Sequence, residues 1–115
     1  MALSRFELGA ILELSRQTAR RFLDLVNLFH PHSGKCVDIR EAGTANGTPI
    51  DLYDCNGTAA QEFEALGNSD GSVTFQNPTS GSCLDVADAK TANGTKLDLW
   101  GCNGTDAQKW TATPN

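Results

Sequence analysis

Two hydrophobic periodicities divide the chain. Over residues 1–29 the apolar side chains of Leu3, Phe6, Ala10, Leu14, Phe22, Leu25, Val26 and Phe29 recur at spacings of three, four or their multiples, with no proline between them. That spacing predicts an amphipathic helix. Ser4 followed by Glu7 fits a capping box at its start, and Pro31 supplies the stop. From Ser33 the period falls to two. Val37 and Ile39 alternate with Cys36, Asp38 and Arg40, and Ile50 and Leu52 alternate with Asp51 and Tyr53, the pattern of half-buried strands. Asn46-Gly47 and Asn56-Gly57 predict tight turns because both residue types tolerate positive φ, and Asp70-Gly71 predicts a hairpin between 63–66 and 73–76. Short strands punctuated by frequent turns predict an all-β barrel or sandwich after the helix.

The β pattern occurs twice. Residues 33–65 and 80–112 align without a gap at an offset of 47 residues, with 19 of 33 positions identical. Val37 faces Leu84, Ile39 Val86, Ile50 Leu97, Tyr53 Trp100 and Phe63 Trp110. A fixed period of this size marks one supersecondary unit that buries its apolar face only by packing on its neighbours. The sequence therefore divides into a helical segment, 1–32, and a repeat region, 33–115. Asn93-Gly94 and Asn103-Gly104 repeat the turn signals in the second copy. All four Asn-Gly-Thr triplets are also formal glycosylation acceptors, but turn chemistry already accounts for them.

Charge follows the same division. Residues 1–32 carry a net +1 and residues 33–115 a net −6, for −5 in all. Scattered acidic charge gives the repeats no surface to displace counterions from nucleic acid, which excludes that partner. Glu7, Glu13 and Arg16 interrupt what would be the apolar core of a signal peptide or membrane span. A helix lying on a membrane surface is a weaker alternative to one packed on protein.

All four cysteines lie at equivalent repeat positions, and none forms a C-x-x-C pair of the zinc-binding kind. Of the three possible connectivities, Cys36–Cys55 with Cys83–Cys102 is compatible with both copies having the same local fold. The alternative is buried free thiols. Bridges imply an oxidising, extracellular compartment. His30 and His32 flank Pro31 with no cysteine or carboxylate nearby, which reads as linker and not as a metal site.

No catalytic set emerges. The repeats contain no histidine to act as a base, and no two of their carboxylates are paired by sequence as glycoside hydrolysis would need. A more specific constellation appears once in each copy. An aspartate stands two places after the first cysteine (Asp38, Asp85), an aromatic two places before the second (Tyr53, Trp100), and a glutamine follows (Gln61, Gln108). A pyranose suits such a set, since its C–H face lies on a ring while its hydroxyls need fixed acceptors and donors. Core packing of Tyr53 and Trp100 is the competing reading. Strand parity opposes it, because Ile50, Leu52, Leu97 and Leu99 take the other face.

These motifs, C-[VL]-D-[IV], N-G-T, D-L-[YW]-x-C and Q-x-[FW], resemble the ricin-type lectin module, and within it the bacterial xylan- and galactose-binding β-trefoils of secreted glycosidases. The resemblance covers residues 33–115. It implies a β-trefoil with one sugar pocket and one intra-lobe disulfide per lobe, here a partial trefoil of two of the three lobes. It also implies that Asp38, Asp51, Tyr53, Asn56 and Gln61 in the first lobe, and Asp85, Asp98, Trp100, Asn103 and Gln108 in the second, contact a galactose- or xylose-type sugar. Phe63 and Trp110 would be core. No cofactor or metal is implied. Ala60 and Ala107 stand where binding copies usually carry asparagine, and Phe63 where tryptophan is usual. The larger ring of Trp100 makes the second pocket the expected stronger one. Rival readings are a piece of a secreted glycosidase, a non-binding structural lobe, and self-association to complete the trefoil.

Overall fold

The computed structural model describes residues 2–3, 12–16 and 25–113. They form ten strands: β1 (Ala2–Leu3), β2 (Leu12–Arg16), β3 (Leu25–His30), β4 (Lys35–Ile39), β5 (Thr48–Asp54), β6 (Phe63–Gly67), β7 (Val73–Gln76), β8 (Ser82–Val86), β9 (Leu97–Gly101) and β10 (Ala112–Thr113). Four 3₁₀ turns, at Arg40–Ala42, Ala59–Gln61, Ala87–Ala89 and Asp106–Gln108, complete the set.

Six segments close a ring. Antiparallel pairs run β10 to β1, β1 to β2, β2 to β3, β3 to β6 and β6 to β7. A bridge from Val73 to Trp110, two residues before β10, returns the ring to its start. Two hairpins, β4–β5 and β8–β9, cap it and pair with each other through Thr48–Leu99 and Pro49–Asp98. The ring thus closes within one chain. Its interior is a cluster that includes Leu28, Val37, Ile39, Phe63, Phe75, Leu84, Leu99 and Trp110, all nearly inaccessible. Phe63 and Trp110 occupy equivalent core positions, as do Leu28 and Phe75. The smaller ring of the first copy and the larger ring of the second therefore share one packed interior.

The helix expected over residues 1–29 is not what the described residues of that stretch form. β2 and β3 are strands, and no α-helix occurs among the described residues. Residues 4–11 and 17–24, with the Ser4–Glu7 capping box, lie outside the described residues. In β3, Val26, Leu28 and His30 are buried while Asn27 and Phe29 are half-buried, a period of two hidden inside a longer pattern of 3.6. A stretch of six residues satisfies both periods, and long-range pairing decides between them. β3 pairs with β2 (Val26 opposite Arg16), with β6 (Val26 opposite Phe63) and with β4 (Phe29 opposite Cys36).

β3 is also the counterpart of β7 at the same 47-residue offset, with Val26 on Val73, Leu28 on Phe75 and Pro31 on Pro78. The turns that follow agree: Gly34 N–H donates to His30 O at 2.9 Å and Gly81 N–H to Asn77 O at 2.8 Å. His30, itself buried, closes an exposed turn against β3 and is not part of a linker, with Nδ1 2.6 Å from Ser33 Oγ.

The disulfides join Cys36 to Cys55 and Cys83 to Cys102, with Cα atoms 5.1 Å apart in each. Each ties the start of a capping hairpin to its end. Loops of this length confer about 3 kcal/mol by restricting the unfolded chain.

Strand parity in β3 has a direct check. Leu28→Ala is expected to cost about 2–5 kcal/mol in urea unfolding, because it opens a cavity in the ring interior. Phe29→Ala, on the half-buried face, is expected to cost clearly less; equal losses would contradict the strand assignment.

Candidate functional site

The capping hairpins build two open cavities from the same parts. In the first, β4–β5 register sets Asp38 opposite Asp51 and Cys36 opposite Tyr53. Asp38, Asp51, Tyr53 and Asn56 line a cavity of about 480 Å³ with Arg40, Glu41, Ala42, Thr58 and Ala60. In the second, Asp85 faces Asp98 and Cys83 faces Trp100. Asp85, Trp100 and Asn103 line a cavity of about 280 Å³ with Asp88, Ala89, Thr105 and Ala107. Tyr53 and Trp100 are 59% and 42% exposed, while Ile50, Leu97 and Leu99 on the opposite face are buried. The rings are therefore available at the rim and do not belong to the core.

The two glutamines lie behind these walls, fully buried. Gln61 Nε2 donates to Asp38 Oδ2 and to Asp54 O, both at 2.8 Å, while its Oε1 accepts from Asn56 N–H at 3.0 Å. Gln108 repeats this with Asp85 Oδ1 (3.2 Å), Gly101 O (3.0 Å) and Asn103 N–H (2.9 Å). Both amide hydrogens and the carbonyl are thus engaged within the chain, and each glutamine fixes the aspartate that reaches the cavity. Asn56 and Asn103 remain exposed, their Oδ1 atoms accepting from Thr58 and Thr105 in a tight Asn-Gly-Thr turn.

Electrostatics separates the copies. Arg40 grips Asp51 through two bonds, Nε to Oδ2 at 2.8 Å and Nη2 to Oδ1 at 3.0 Å, the paired geometry that makes arginine–carboxylate contacts strong. Asp51 in turn raises the Arg40 pKa. Ala87 stands at the equivalent position of the second copy, and Asp98 has no cation among the described residues. Its Oδ1 is buried without a hydrogen-bond partner. Burial, then hydrogen bonding with Asp85 and the charges of Asp85 and Asp88, pushes the Asp98 carboxyl up to about 7. No group of three or more His, Cys, Asp or Glu among the described residues is arranged to hold a metal ion.

Sequence reasoning missed the residues that follow the first strand of each copy. Glu41 and Ala42 (φ 52° and 55°) and Asp88 and Ala89 (φ 56° and 54°) hold left-handed backbone, costly for residues with a side chain. Both pairs line the cavities. The available signal was Arg40 against Ala87, one of the charge differences between the aligned repeats.

A family model described as ricin-type beta-trefoil lectin domain-like matches residues 17–100 and 59–115. No curated protein matches the chain. Among solved structures, it is similar to the designed three-fold symmetric protein ThreeFoil, at 27% identity and a TM-score of 0.80, covering 88% of this chain and 69% of that one. It is also similar to an exo-beta-1,3-galactanase from Clostridium thermocellum (20% identity, TM-score 0.79, 88% of this chain and 21% of that one). A Polyporus squamosus lectin bound to the epitope Neu5Aca2-6Galb1-4GlcNAc is a third (16% identity, TM-score 0.71, 96% and 42%). The chain therefore spans from about two thirds to about a fifth of these structures' lengths.

Asp98 makes stability depend on pH. Folded, it keeps its proton up to about pH 7, whereas in the unfolded chain it ionises near 3.8. Its contribution is complete below the unfolded value and is lost as pH rises through about 7. Asp98→Asn should flatten the fall in melting temperature across that window; parallel profiles for parent and variant would remove Asp98 as its source.

Proposed function

Because the chain belongs to the ricin-type β-trefoil lectin domain-like family, we propose that it is a non-catalytic carbohydrate-binding module that takes pyranose units of galactose or xylose type into its two capping cavities. The observation that carries this reading is the meeting, twice in one chain, of an exposed ring with a braced carboxylate at one open cavity. Tyr53 and Trp100 offer a flat apolar face to the sugar, while Asp38 and Asp85 accept from its hydroxyls. Asp51 flanks the first set. Asn56 and Asn103 stand at the rims, where their amide N–H groups serve as donors. Gln61 and Gln108 act from behind by holding the aspartates.

β1 and β2 take ring positions without a capping hairpin among the described residues. We read them as the counterpart of a third lobe, which makes this a trefoil with two capping pockets among the described residues. The two disulfides and the family favour a secreted protein. The similarity to a galactanase over 21% of that enzyme's length suits a module that acts beside a catalytic domain.

Affinity per site is expected on the order of tens of micromolar to millimolar, as for a shallow, open contact. At mildly acidic pH, Trp100→Ala should lose the larger share of binding to xylo- or galacto-oligosaccharides in calorimetric titration. Tyr53→Ala should lose the smaller share, Asp38→Asn and Asp85→Asn intermediate amounts, and the double ring variant all of it. Unchanged affinity in the double ring variant would sink the sugar reading.

A further inference from the structure

The two cavities share a backbone and differ in one charged position, the residue that follows the first strand of each capping hairpin. We propose that Arg40 is the positioning residue that keeps the first pocket ready to bind throughout the neutral range, and that the second pocket, with Ala87 in its place, binds fully only when Asp85 and Asp98 share a proton. The inference rests on the carbohydrate reading above and concerns which pocket is competent at a given pH.

The cross-strand register creates the problem that Arg40 solves. Asp38 stands opposite Asp51, and Asp85 opposite Asp98; like charges so placed repel. In the first pair the guanidinium holds both oxygens of Asp51 at 2.8 and 3.0 Å, leaving Asp38 to Gln61 and the cavity.

In the second pair no cation answers. β8 contributes Asp85, and the turn at Ala87–Ala89 contributes Asp88, both acidic. β5 sets Pro49 opposite Asp98, with no charge. The turn at Asp106–Gln108 brings Gln108, which is bonded to Asp85. Lys96, the residue before β9 and two before Asp98, is exposed and forms no ion pair among the described residues.

Asp98 Oδ1 is buried without a donor, a placement that favours the neutral acid over the carboxylate. One proton between the two groups removes their repulsion and lets Asp98 donate to Asp85. Asp85 then receives donors from Gln108 and Asp98, and its remaining lone pairs face the cavity. Loss of that proton adds the charge of Asp98, behind the cavity wall, to those of Asp85 and Asp88, which line it, and drives Asp98 toward solvent. Arg40 keeps the first pocket from this change.

Each pocket is isolated by removing the other's ring. With lactose and xylotetraose as probes, Tyr53→Ala, which leaves the second pocket, should bind about tenfold more weakly at about pH 8 than at about pH 5.5. That factor is the fall in the protonated fraction of a group titrating near 7. Trp100→Ala, which leaves the first pocket, should bind alike at both. Adding Ala87→Arg to Tyr53→Ala should flatten its profile, and adding Arg40→Ala to Trp100→Ala should create a slope that Arg40→Lys reduces. Carbon-13 titration of the Asp98 carboxyl supplies a sugar-free readout, with its midpoint moving down in Ala87→Arg. A flat second-pocket profile in a protein that binds, or an Asp98 midpoint in the ordinary carboxylate range, overturns the assignment of Arg40 alone. No binding by the parent at either pH overturns the carbohydrate reading, and this inference with it.

Discussion

Each capping hairpin depends on one buried amide. A glutamine with no access to water must find partners inside the chain for two N–H groups and a carbonyl, and each one left unmade costs about 1–3 kcal/mol. Gln61 and Gln108 find them in the same three places: the aspartate of the first strand, the carbonyl of the residue before the second cysteine, and the N–H of the residue after it. The demand for satisfaction thus joins a 3₁₀ turn, two strand ends and a carboxylate in one arrangement. The disulfide beside it holds the same ends covalently. The carboxylate at the rim owes its position to what lies behind it, which is why the binding surface recurs wherever the core unit does.

Ring and hairpins divide the work. The ring buries the apolar side chains of β3, β6 and β7 and closes through the two-residue segments β1 and β10. The hairpins carry the polar chemistry and lock onto each other: Gly47 N–H donates to Leu99 O at 2.7 Å, and Asn46 Oδ1 accepts from Gly101 N–H at 2.8 Å. That contact lies beside Trp100, so the first copy supports the rim of the second. Left-handed backbone at Glu41–Ala42 and Asp88–Ala89 is the cost at each rim, sustained by pairing on both sides.

A shared backbone in the two copies coexists with different electrostatics. Asn77 Nδ2 donates to Ala59 O and Glu62 O, both at 2.9 Å, and so fastens the second copy to the turn of the first. His30, in the same place, leaves its buried Nε2 without a hydrogen-bond partner. Arg40 against Ala87 is a second such exchange, this time at a cavity. Backbone symmetry sets where a charge can stand, but it does not set the charge.

From the sequence alone, the repeat, the β class of residues 33–115 and the outward parity of Tyr53 and Trp100 were legible. So was the cysteine pairing, because a matched copy at a fixed offset constrains both units at once. Period and offset are local properties, and the side chains themselves state them. The role of residues 25–30 was not legible from period, because six residues fit both a helix and a strand; only pairing with β2, β4 and, remote in sequence, β6 chose. The offset could have revealed it through Val26, Leu28 and Pro31 against Val73, Phe75 and Pro78. The burial of Gln61 and Gln108, the left-handed rims and the carboxylate pairs were decided by tertiary structure alone. They arise where β4 meets β5 and β8 meets β9, and the field at a carboxyl is set by neighbours that the chain brings close only when it folds.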